Sequence, residues 1–152
     1  MNIPVDLMLP YFQSMRDDLS VTRFPTFKDL TRYMEGSALP VGRAMTYILG
    51  VRNPFSLSDA LAGADSLSIA MQLSNFWRDA GEDFHLRKRV YIPLEDMENF
   101  HYSEVDLQRK IINQNFKDLM EFQFTRTESY YKIARGAVQM LRRGRWGVQN
   151  GL

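Results

Sequence analysis

An all-α fold follows from three features of the sequence. Apolar residues recur at three- and four-residue spacing over long stretches. Helix-capping residues stand at the starts of those stretches, and no convincing alternating strand interrupts them. A bundle of about five helices is expected. It should form one unit over residues 1–152, because no repeat, low-complexity tract or linker divides the chain.

The first helix is expected over about Val5 to Ser20, with Pro4 near its start and Leu9, Phe12, Met15 and Leu19 as its apolar stripe. "TRFPTF" breaks it, since Pro25 disfavours helix at Phe24. A second helix takes Thr26 as N-cap and runs through Met34 to Gly50, bent at Pro40. After "GVRNPFSLSD", a third begins near Ser58 or Asp59 and reaches Asp83. "HLRKRVYIPLEDMENFHY" reads as irregular or briefly extended, with Pro93 stopping any helix. Ser103 starts another helix, with Asp106 as its capping-box partner. The last spans about Asn113 to Arg143, with Phe116, Leu119, Met120, Gln123, Phe124, Thr127, Tyr131, Ala134, Val138 and Leu141 along one face.

Composition narrows the chemistry. With 45% hydrophobic and 24% charged residues the chain is of ordinary globular type, long enough at 152 residues to bury a core. Its 19 basic and 18 acidic residues leave a net charge of +1, so no nucleic-acid partner is expected. The absence of cysteine excludes disulfides, thiol catalysis and thiolate metal sites. His85 and His101, the two histidines, argue against a histidine-rich zinc site. No apolar run approaches the roughly 20 residues that span a bilayer, and the start lacks a basic signal-peptide region. A cytoplasmic setting with at most peripheral membrane contact is expected.

The stretch "AMQLSNFWRDAGEDFHLRKRVYIP" sets charge inside an apolar segment. At about 100° per residue, Gln72, Asn75, Asp79 and Asp83 fall within an arc of roughly 80°. Ile69, Leu73, Phe76, Trp77 and Ala80 occupy the neighbouring face. Two carboxylates one turn apart suit Mg²⁺, which takes oxygen ligands and relies on one or two carboxylates plus substrate phosphates. Asn75 could join the inner shell, Gln72 could donate to a phosphate, Glu82 could support the metal side, and Arg87, Lys88 and Arg89 offer positive charge to the anion. Each feature alone has a blander explanation: an acidic i,i+4 pair is usually a solvated face, a basic cluster usually surface, and aromatics usually core.

Taken together, these residues resemble the second aspartate-rich motif of the squalene/phytoene synthase family. Gln72, Asn75, Phe76, Arg78, Asp79, Asp83, Arg89, Tyr91 and Pro93 match that motif in order. "RYMEGSALPVGRAMTYILG" is similar to the family's other hallmark through Tyr33, Ala38, Val41 and Gly42. "MRDDLSVTRFPTFKDL", "LEDMENF" and "SEVDL" resemble further family stretches, so the likeness covers nearly the whole chain. Departures are Ser68 in place of a glycine, Ala80 in place of a larger apolar residue, Leu39-Pro40, and Glu35 where many members carry a channel-lining Tyr. "SALPVGR" is closer to the bacterial hopanoid branch.

The resemblance implies a partial isoprenoid/terpenoid synthase-type helical bundle and head-to-head condensation of two prenyl diphosphates, farnesyl or geranylgeranyl, through a cyclopropyl intermediate. It implies Mg²⁺, or Mn²⁺ in its place, held by Asp79, Asp83 and Asn75. Gln72, Asn75 and Arg78 would serve the diphosphate and metal shell, and Arg89 with Tyr91 would steady the diphosphate. Use of NADPH stays open. The family's first D-x-x-x-D motif has no match here, since Asp17-Asp18 aligns elsewhere, so weak or no turnover by this chain alone is expected. A complementing subunit or a homodimer would cover a greasy face. Two other readings remain: a non-catalytic helical assembly module of the same fold, and a Mg²⁺-dependent diphosphate hydrolase or terpene cyclase.

Overall fold

The computed structural model of the chain describes residues 3–142. Among them the chain is helical, and its only pairing of extended backbone is two isolated bridges, Arg23 with Val90 and Val51 with Leu141. A short 3₁₀ turn, Val5–Met8, leads into α1 (Leu9–Asp17). Then follow α2 (Phe27–Ser37), α3 (Leu39–Leu49), α4 (Leu57–Arg87), α5 (Leu94–Asn99), α6 (Glu104–Gln108) and α7 (Gln114–Val138). The two longest helices, α4 and α7, lie against each other; α3 packs on α4, and α1 on α2. Leu30, Met34, Leu73, Ile92 and Leu119 are the large apolar side chains at the centre of the core.

Local signals account for most boundaries. Thr26 and Ser103 each accept from the backbone N–H three residues on, while Asp29 and Asp106 accept in return, so both capping boxes form. Ser56 caps α4, which begins at Leu57, a residue or two earlier than expected, by accepting from the Asp59 N–H, 3.1 Å away. Four expectations need correction. The second helix is two, broken at Ala38, and Pro40 sits in the first turn of α3, where a missing N–H leaves no bond unmade. Pro93 precedes α5 rather than preventing it, for the same reason. Leu9, Phe12 and Leu19 of the first apolar stripe are exposed. Helix α1 instead approaches α2 through its small residue Ser14: a Cβ on Gly36 would lie 1.8 Å from Ser14 Oγ and 2.7 Å from the Pro10 carbonyl oxygen. On α7, Phe124 is exposed while Leu119, Gln123, Thr127 and Ala134 face inward. Arg143, the expected end of the last helix, lies outside the described residues.

A buried polar node ties α7 to the segment after α4. The Asp96 carboxylate, 3% exposed, accepts from Gln123 Nε2 at 2.8 Å and from Arg126 Nη1 at 2.6 Å. The Arg126 guanidinium lies 4.0 Å from the Phe27 ring centroid and 4.5 Å from that of Phe122. Burial of Asp96 is tolerable because its charge is paired and its oxygens are bonded.

Candidate metal and diphosphate site

Helix α4 runs for 31 residues and stops at Lys88, whose φ of 57° is left-handed. Because the chain reverses there, Arg89 N–H donates to the Asp83 carbonyl at 3.1 Å and Val90 N–H to the Thr22 carbonyl at 3.0 Å. The segment Arg89 to Tyr91 is thereby folded back beside the end of the acidic helix.

The file Gln72, Asn75, Asp79, Asp83 lies on this one helix, graded from half-buried Gln72 through exposed Asn75 and half-buried Asp79 to Asp83, 4% exposed. Each acid already has a cation. Arg78 grips Asp79 with two bonds, Nε to Oδ1 at 2.7 Å and Nη2 to Oδ2 at 2.6 Å. Arg87 Nη1 donates to Asp83 Oδ1. Asp79 is held below the ordinary carboxylate range, chiefly by its hydrogen bond to Arg78, so it stays ionised. Both arginines are mainly in solvent, with side chains 70% and 62% exposed, and the Arg78–Asp79 pair, whose acid is also part-exposed, is of the weak surface kind that exchanges for another partner. Glu82 and Lys88 are also exposed.

Arg89 is placed differently. Its side chain is 14% exposed, and Nη1 donates to Asp18 Oδ1 and to the Tyr91 hydroxyl, both at 2.9 Å. Its Nη2 donates to the Asp18 carbonyl. Tyr33 donates its hydroxyl to the same Asp18 Oδ1 at 2.7 Å. Burial, then this bond to Asp18, pushes the Tyr33 hydroxyl well above the usual tyrosine range, so it remains a donor. The Tyr91 ring stacks on Phe76 with centroids 3.9 Å apart and planes at 8°. Phe76 and Trp77 pack the helix, and Trp77 Nε1 donates to Thr127 Oγ1 at 2.8 Å. Sequence reasoning gave Asp18 no part in the site; its partner lies 71 residues away, and an acid at a helix end carries no signal of that.

Beside the file opens an apolar cavity of about 440 Å³ between α3, α4 and α7, with Val41, Met45, Leu67, Met71 and Val138 among its walls. Gln72 and Asn75 belong to its lining; Asp79 and Asp83 continue α4 beyond it, about 6 and 12 Å further along the axis from Asn75. Ser37 also lines it, and its Oγ is buried without a hydrogen-bond partner. Two carboxylates and two side-chain amides offer the hard oxygen donors that Mg²⁺ takes, so these residue types suit a partial site. Among the described residues no group of three or more Asp, Glu, His or Cys side chains is placed to hold a metal. Remaining ligands would therefore be phosphate, water or another polypeptide's acids.

The family model described as squalene/phytoene synthase matches residues 1–149. The chain belongs to the squalene/phytoene synthase family. The 15-cis-phytoene synthases of Synechocystis sp. and Synechococcus elongatus are 36% and 35% identical over 90% of this chain. The chain spans 43% and 47% of their lengths, so less than half of each curated relative. Squalene synthase HpnC from Alicyclobacillus acidocaldarius superposes with a TM-score of 0.85 at 24% identity, covering 97% of this chain and 54% of that one. A dehydrosqualene synthase solved with a ligand gives 0.80 at 26% identity, covering 91% and 47%. These structures share the family's helical fold. Among the described residues no helix is long and apolar enough to cross a membrane.

Proposed function

We propose that the chain carries the second metal half-site and part of the prenyl channel of an enzyme condensing two prenyl diphosphates head to head. The observation that supports this most is the continuity of one helix: the acid pair Asp79/Asp83 leads directly into the amides Asn75 and Gln72 at the edge of an apolar cavity. The relatives named phytoene synthase agree with it. When bound, Mg²⁺ or Mn²⁺ supplies the charge that stabilises a departing diphosphate. Asp79, Asp83 and Asn75 would hold the metal, and Gln72 and Arg78 would meet the diphosphate oxygens. Arg89 and Tyr91 would steady the anion from a preset position, Arg89 sharing its guanidinium with Asp18. The apolar walls would take the isoprenoid of a farnesyl or geranylgeranyl diphosphate and keep a developing carbocation from water. The same reading includes a setting in the cytoplasm or at a membrane surface.

Val41 and Met45 on α3, with Met71 on α4, line the cavity and are about half exposed. A complementing polypeptide bearing a second acid pair suits this face and also the two-acid donor set. The test is a titration of the chain with Mg²⁺ and farnesyl thiodiphosphate, comparing wild type with Asp79→Asn/Asp83→Asn. Metal-dependent binding that the double variant loses is the expected outcome. Indistinguishable titrations would instead favour a non-catalytic assembly module.

A further inference from the structure

Resting on that reading, we infer that Arg87 competes with a metal ion for Asp83 and is released to the diphosphate, which couples the binding of the two ligands. Asp83 is 4% exposed, and among the described residues the only side-chain bond to its carboxylate comes from Arg87 Nη1. A buried carboxylate needs a compensating cation, and Arg87 supplies it while its own side chain stays 62% exposed. Neighbouring arginines are held more firmly. Arg89 is 14% exposed and bonded to Asp18 and Tyr91. Arg23 grips Glu104 through Nε and Nη2, both at 2.7 Å, and gives Nη1 to the Lys88 carbonyl. Arg87 holds one carboxylate oxygen through one nitrogen. It is also the last residue of α4, where the carbonyl end of the helix favours a cation whichever way the side chain turns.

The consequence follows from charge. Arg78 and Arg87 cancel the charges of Asp79 and Asp83, so the file offers a lone divalent cation no net attraction. Asp79 gives up its surface arginine readily, whereas Asp83 is guarded by a guanidinium that covers a buried acid. Arg87 has to leave before Asp83 serves as a ligand, and its charge then stands unpaired beside a second positive charge. With diphosphate present, the released guanidinium finds phosphate oxygens, which its planar fork suits. Each ligand thereby improves the site for the other, and by linkage it does so equally.

The full chain is titrated calorimetrically with Mg²⁺ alone and with Mg²⁺ in the presence of inorganic pyrophosphate, alongside thermal melts. The wild type should bind Mg²⁺ at least about tenfold more tightly when pyrophosphate is present. Arg87→Ala should bind Mg²⁺ alone at least about tenfold more tightly than wild type, and should lose most of the gain from pyrophosphate. Without Mg²⁺ it should melt below wild type, because Asp83 is left uncompensated, and added Mg²⁺ should restore it. Arg87→Lys keeps the charge but not the fork, so it should fold and lie between the two in both titrations. Lys88→Asn removes a neighbouring charge at a left-handed position that Asn tolerates, and should shift Mg²⁺ affinity by less than about threefold. Arg87 variants whose Mg²⁺ affinity matches wild type, or moves no further than that of Lys88→Asn, would overturn the exchange. If neither wild type nor Arg87→Ala binds Mg²⁺, with or without pyrophosphate, the functional reading beneath it fails instead.

Discussion

At the scale of single residues, Asp18 has three bonds to explain: it accepts from Arg89 through its carboxylate and its carbonyl, and from the Tyr33 hydroxyl. Removing the carboxylate would leave the Arg89 charge, 14% exposed, without its partner. Asp18→Ala should therefore destabilise the fold by about 1–3 kcal/mol, measured by denaturant unfolding. Asp18→Asn, which can still accept a bond, should cost less. The residues of the acidic file were legible because all four sit on one helix, where spacing alone fixes a shared face. The Asp18–Arg89 pair was not, because nothing local in "MRDDL" records a partner brought in by folding. The same limit hid the Asp96, Gln123 and Arg126 node, three residues that meet only when α5 docks on α7.

Among the elements, ends were easier to read than faces. The capping boxes at Thr26 and Ser103 were visible because their chemistry is complete within four residues. Which face of α1 turns inward was not, since the close approach of Ser14 to Gly36 depends on a neighbour and overrides the apolar stripe. The caps also make a pH prediction. The Thr26 hydroxyl holds the Asp29 carboxyl below its ordinary 3.8, and Ser103 does the same for Asp106. In the folded state both release their protons more readily than in the unfolded chain, so the stabilisation is complete above about pH 4 and fades as pH falls through the lowered values. Melting temperatures taken from pH 5 down to pH 2 should fall more steeply for wild type than for Asp29→Asn/Asp106→Asn.

For the whole molecule, the question is how much of a catalytic site two carboxylates can make. A diphosphate leaving group develops more negative charge than a single metal on Asp79 and Asp83 would offset, and among the described residues no three acids are placed to hold a metal together. Binding and turnover should therefore separate. The chain alone should bind Mg²⁺ and a prenyl thiodiphosphate yet convert a prenyl diphosphate slowly or not at all. Supplying in trans a helical polypeptide with a second D-x-x-x-D pair should raise the rate, and the product should be a hydrocarbon of twice the donor's carbon number. The dependence must run through the open side of the cavity, so Met45→Glu/Met71→Glu, which puts charge on that half-exposed apolar face, should abolish the rescue. Gas chromatography of extracted product and sedimentation of the mixed polypeptides measure the two effects. Rapid turnover by the isolated chain, unaffected by the added helix, would mean that the acid pair on α4 needs no second pair to ionise the substrate.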